Sequence, residues 1–187
     1  MKPGEQDPRR LDVATFATQG GELQGRWPLA DMPRLAEDAP ATDDAPALSD
    51  VSWAAHAERR PVKGGEPELW LHLEASADVP RECQRCLAPV ALPVAIDRWL
   101  RFVPDEELAA ALDADSEDDV LALPRWLDLQ ELVEDELLLA LPLVPRHDVC
   151  PAPLPMAAEP SADEMPEPEK ANPFAALAQL KRRPDQS

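Results

Sequence analysis

The sequence predicts an α+β fold: an antiparallel β meander covered by one main α-helix, with a disordered, acidic, proline-rich linker and a short terminal helix behind it. Three observations carry this reading. Apolar residues recur at every second position in three successive runs between Val51 and Phe102. Between Leu127 and Asp148 the period changes to 3–4 residues. Beyond residue 150 large apolar residues thin out and Pro, Ala and Glu take over.

Residues 1–10 read as a disordered lead, and the domain as residues 11–150. Leu11–Phe16 and Trp27–Leu35 are short and mixed, and the second could hold a strand end or a helical turn. Glu37–Asp44 reads as a loop. The alternation then sharpens: Val51, Trp53, Ala55 and Ala57 against Ser52, His56 and Glu58. Lys63-Gly64-Gly65 marks a turn. Leu69, Leu71, Leu73, Ala75 and Ala77 alternate with Trp70, His72, Glu74, Ser76 and Asp78; His56 and His72 thus fall on the polar phase, as surface residues. Val90, Leu92, Val94 and Ile96 form the third run, and Leu100 and Phe102 continue it. No helical pattern separates the runs, which argues consecutive antiparallel strands. Pro89 and Pro93 cannot donate to a ladder and suit an edge strand or a bulge.

Pro104–Asp119 holds eight acidic residues and no basic one, and reads as a mobile loop. The main helix follows. Asp128 can cap it, with Glu131 three residues on. Leu129, Leu132, Val133, Leu137 and Ala140 make one face, and Glu131, Glu134 and Asp135 the other. Pro142 lacks an N–H and stops the helix. Residues 151–171 form the linker. The terminal peptide, 172–187, opens with an Asn172 cap and Pro173, spaces Phe174, Leu177 and Leu180 three apart, and closes on Lys181, Arg182 and Arg183. It suits either recognition by a partner or packing on its own domain.

The formal charge is −19, with 37 acidic against 18 basic residues. Such a chain is a poor candidate for a broad phosphate-binding surface, which needs Lys and Arg. Pro makes up 23 of 187 residues, against an average of about 5%. No apolar run approaches the roughly 18–20 residues of a spanning helix, and MKPGEQDPRRLDV has no apolar stretch of a secretory signal. We expect a cytoplasmic protein with no membrane association.

The three cysteines carry the chemistry. Cys83-Gln-Arg-Cys86 falls where one strand should turn into the next, and His147-Asp-Val-Cys150 follows the helix. Together they form CxxC…HxxC, a Cys₃His set suited to a structural Zn²⁺. A tight turn with reduced thiols accounts for the same residues, and a thioredoxin-like redox pair lacks its βαβ surroundings. GxSxG, HExxH and GxxxxGK[ST] are all missing, so we expect no enzyme.

Glu82-Cys-Gln-Arg-Cys-Leu-Ala-Pro89, then Leu129–Leu141 running into Pro142-Leu-Val-Pro145 and His147-Asp148, then Asn172-Pro-Phe-Ala-Ala-Leu-Ala-Gln-Leu180-Lys resemble the bacterial YceD family, the large ribosomal RNA subunit accumulation proteins. The resemblance covers about residues 11–183. It implies a role in making, processing or stabilising the 23S rRNA, and no enzymatic activity. Some relatives carry further cysteines where this chain has Cys150 beside His147. An RNA-linked role and a charge of −19 reconcile if the chain acts through a protein partner, such as a basic protein of the large subunit or its processing machinery. The Asp105–Asp119 run, Glu131, Glu134, Asp135, Phe174, Leu177 and Leu180 are then the expected contacts. The alternatives are a direct rRNA-binding module, using Lys181, Arg182 and Arg183, and a small zinc-binding domain of another role.

Overall fold

The computed structural model of the chain describes residues 6–151 apart from 115 and 117. Five strands, β1 (Glu22–Pro28), β2 (Asp50–Arg60), β3 (Glu68–Glu82), β4 (Pro89–Val103) and β5 (Asp119–Ala122), form one sheet in the order β1-β2-β3-β4-β5. The first four are antiparallel and β5 runs parallel to β4. The helices are α1 (Val13–Thr18), α2 (Pro33–Ala36), α3 (Glu106–Asp113) and α4 (Leu129–Ala140). The α+β class and the three-strand meander are as the sequence predicts.

Period-two alternation becomes a buried and an open face. Val51, Trp53, Ala55 and Ala57 on β2, Leu71, Leu73, Ala75, Ala77 and Val79 on β3, and Val90, Leu92, Val94, Ile96, Leu100 and Phe102 on β4 are all buried. Leu129, Val133 and Leu137 of α4 cover them, with Val13 and Phe16 of α1 and with Leu29, Met32 and Leu35. The three α4 residues are fully inaccessible, each stabilising the fold by about 1.5–3 kcal/mol. Trp53 stacks on Trp27 at 4.3 Å between ring centroids. That stack needs Gly25 opposite Trp53, because a Cβ there would come within 3.0 Å of the indole.

Four expectations change. The acidic run 104–119 is not a loop throughout: its first half is α3. Asp105 Oδ1 accepts from Leu108 N at 2.9 Å, Glu106 and Glu107 occupy the first turn, and Ala109 and Leu112 pack on Val103 and Val120. Negative charge at a helix N-terminus is stabilising, so carboxylates that look like loop residues cap a helix instead. Second, β1 and β5 widen the meander to five strands, and β5 borders β4 only at Leu100–Val103. Pro89 and Pro93 therefore lie where β4 has one neighbour, the edge position their missing N–H requires. Third, residues 7–10 are tied in: Leu129 N donates to the Pro8 carbonyl at 2.8 Å, and Arg10 lies 4.7 Å above the Trp126 ring. Last, on α4 Ala140 is exposed and Glu134 buried, the reverse of their expected placement.

The Asp128 cap and the stop at Pro142 are as expected, while among the described residues the Glu131 side chain makes no bond back to Asp128 N. Asp128 Oδ1 accepts from Gln130 N at 2.9 Å and from Glu131 N at 3.2 Å, and Leu141 leaves helical geometry before Pro142. No helix of the described residues is long and apolar enough to cross a membrane.

Candidate metal centre

Cys83–Ala88 is the connection between β3 and β4. It closes as a tight knuckle: Leu87 N donates to Cys83 O at 2.8 Å, and Cys83 N to Ala88 O at 3.0 Å. Leu87 carries the turn at φ 61°, the left-handed region that L-residues seldom occupy. This folds the loop back so that Cys83 and Cys86 point to one place. The second half arrives from the chain beyond α4, where Pro142 sends the backbone across the knuckle. Gln84 N donates to Pro145 O at 2.8 Å, and His147 Nε2 lies 3.1 Å from Pro89 O.

The ligating atoms of Cys83, Cys86, His147 and Cys150 all lie within 4.8 Å of one another. Cys83 Sγ is 4.0 Å from Cys150 Sγ, and Cys86 Sγ is 3.5 Å from His147 Nδ1. A tetrahedral zinc with usual bond lengths puts two sulfurs about 3.8 Å apart and a sulfur and a nitrogen about 3.6 Å apart. These two pairs come within about 0.2 Å of that geometry, and the remaining donor pairs, all within 4.8 Å, need to close by no more than about 1 Å. The histidine tautomer agrees: a carbonyl only accepts, so Nε2 carries the proton and Nδ1 offers its lone pair to the sulfurs. Cys83 is buried, the other three are half-buried, and no disulfide joins the cysteines.

Electrostatics also fit a cation. Burial pushes the Cys83 thiol up, but the backbone groups of His147, Cys86 and Arg85 and the His147 side chain outweigh it and bring the pKa down to about 5. For Cys86, a backbone bond at Ala88 favours the thiolate; burial and the neighbouring Cys150 and Cys83 sulfurs win, and the thiol is held above its ordinary value. Three sulfurs this close cannot all ionise unless positive charge joins them. Arg85 supplies some: its Nε is 2.9 Å from Cys150 Sγ, and its guanidinium reaches His147 O at 3.4 Å. Spacing pointed to the four candidate ligands. Arg85 and the Pro89 carbonyl it did not, because an Arg inside a CxxC and a carbonyl beside it leave no pattern.

The residues expected to contact a partner are divided. Glu131 is exposed. Asp135 is half-exposed and pairs with Arg34. Glu134, expected on a solvated face, is a structural group: Oε1 accepts from Arg34 N at 2.7 Å and Leu35 N at 3.0 Å, while Oε2 takes the Arg34 guanidinium at 3.1 Å. Buried amides at the start of α2 require an acceptor, and Glu134 is the one provided. Phe174, Leu177 and Leu180, with Lys181–Arg183, lie outside the described residues.

No solved structure matches the chain. The family model described as "Large ribosomal RNA subunit accumulation protein YceD" matches residues 71–181, more than half of the 187. The matched stretch contains all four candidate ligands.

Proposed function

The chain belongs to the YceD family of large ribosomal RNA subunit accumulation proteins, and from that premise we propose a non-enzymatic, cytoplasmic factor that supports 23S rRNA by gripping a basic protein partner. The partner is a large-subunit protein or a component of rRNA processing. The observation that carries the partner reading is the charge of −19, which repels an RNA backbone and attracts a basic protein. Glu131 and Asp135 steer the approach; Glu134, already engaged with α2, holds the surface in shape rather than meeting the partner. Phe174, Leu177 and Leu180, on a terminal peptide (172–187) joined to the domain (11–150) by the linker 151–171, are the anchors.

Cys83, Cys86, His147 and Cys150 hold a structural Zn²⁺ in this reading. The ion supplies the positive charge that the three sulfurs lack. The protein's part is to present Nδ1 of His147 through the Pro89 carbonyl, to place Arg85 against Cys150, and to pin residues 145–150 to the β3–β4 knuckle. The test of the partner reading is an affinity pull-down with and without nuclease, followed by mass spectrometry. A basic large-subunit or processing protein should persist after nuclease; loss of every protein on nuclease treatment would favour RNA contact through Lys181, Arg182 and Arg183.

A further inference from the structure

The side of the sheet away from the helices carries a second cluster of metal-ligating groups, sharing no residue with the cysteines. His72 and Glu74 are two apart on β3 and so point the same way. Asp97 on β4 is the register partner of Glu74, and Trp99 that of His72. One ligand atom from each of His72, Glu74 and Asp97 falls within 4.8 Å of the others. His72 Nε2 lies 2.7 Å from Asp97 Oδ1, and its ring is stacked on Trp99 at 4.5 Å between centroids and 17° between planes. The imidazole is thereby aimed at the carboxylates. Glu74 also borders a depression of about 390 Å³, which His72, His56, Glu22 and Gln24 line around the small Ala54. His56 lies directly opposite His72, and its Nδ1 is buried without a hydrogen-bond partner.

The charge balance of this patch is unfavourable as it stands. Like charges directly opposite on neighbouring strands are destabilising, and Glu74 faces Asp97. Two arginines of this face are committed elsewhere: Arg60 to Glu58 at 2.6 Å and to the Trp70 and Trp99 faces, Arg101 to Glu68 at 2.7 Å. Among the described residues Glu74 has no ion-pair partner. One imidazole nitrogen and two carboxylate oxygens on a rigid strand pair, open to water on the remaining side, match what a borderline divalent transition-metal ion takes up.

We propose that His72, Glu74 and Asp97 form a binding site for a divalent first-row metal ion such as Mn²⁺ on the open face of the sheet. The ion replaces the proton between His72 and Asp97 and relieves the opposition of Glu74 and Asp97. A harder ion separates this site from the thiolate centre, because Mn²⁺ favours oxygen and imidazole over sulfur.

The test uses the full chain loaded with a single equivalent of Zn²⁺, which the three sulfurs take ahead of an oxygen and imidazole site, then titrated with Mn²⁺ at about 0.15 M salt, where diffuse attraction to the acidic surface is largely screened. The electron paramagnetic resonance signal of the free aquo-ion reads uptake. The expected result is one Mn²⁺ per chain. His72→Ala and Asp97→Asn should each weaken it by at least the roughly 10–100-fold that even an outer-shell substitution costs a metal site. Asp97 is exposed and His72, half-buried against Trp99, lies outside the core cluster, so circular dichroism and zinc content should be unchanged, which shows the variants are folded. No uptake would overturn the proposal. So would uptake of equal affinity in both variants, since that is binding by surface carboxylates at large.

Discussion

At the scale of single residues, the cysteine cluster makes the sharpest prediction. Purified protein should contain about one zinc per chain, and Cys83→Ser should release it. Elemental analysis checks this, and protein that is metal-free as isolated and melts unchanged after chelator would leave only a thiol knuckle. A second contrast lies on α4. Glu134→Ala strands the amides of Arg34 and Leu35 and should cost about 1–3 kcal/mol in denaturant unfolding. Glu131→Ala, at an exposed position, should stay within about 0.5 kcal/mol. The sequence could not separate these two glutamates, because the group that decides the matter, Arg34, is 100 residues away. Glu136 behaves differently again. Burial raises its pKa, against the opposing charge of Arg98 at 3.2 Å. A carboxyl with a raised folded pKa favours the fold while protonated, below its ordinary 4.5, and that contribution is lost as pH rises through the folded value. Glu136→Gln should therefore melt higher than the parent at pH 7, and the gap should close on acidification. A gap that widens towards low pH would show that the ion pair outweighs burial.

At the scale of elements, legibility tracks how many local signals agree. For α4 a cap at Asp128, an apolar period and a proline stop coincide, and the helix is where they put it. Leu137→Ala should cost about 2–5 kcal/mol, as emptying a fully buried site does; a cost under 1 kcal/mol would mean α4 does not close the core. For α3 the signals conflict. Its charge density argues for a solvated loop, and only the Asp105 cap and the spacing of Ala109 and Leu112 argue otherwise. Strand β1 hides for another reason: Leu23, Gly25 and Trp27 alternate correctly, but a glycine sits where a large apolar residue would announce a strand, and it is there to admit Trp53. Strand β5 is four residues long and pairs in parallel through a helical crossover, which no local pattern announces. The cysteine–histidine cluster was legible as spacing, CxxC and HxxC. Its assembly was not, since it depends on the Leu87 turn and on the bond between Gln84 and Pro145.

At the scale of the whole molecule, membership of the YceD family ties the chain to large-subunit rRNA, while its charge of −19 opposes direct contact with a polyanion. The proposed intermediary, a protein whose charge complements this surface, would reconcile the two. Reversing the exposed charges at Glu131 and Asp135 should slow association with such a partner, more at low salt, and leave the core folded, because neither side chain is buried. In cells the same change should lower 23S rRNA relative to 16S. The central claim is that RNA is reached through a protein, and it is tested most directly by filter binding of the purified wild-type chain to large-subunit rRNA across a salt series. The account predicts retention no greater than for an acidic protein with no RNA role, at every salt concentration. Tight retention that falls steeply as salt rises, with no other protein present, would contradict it.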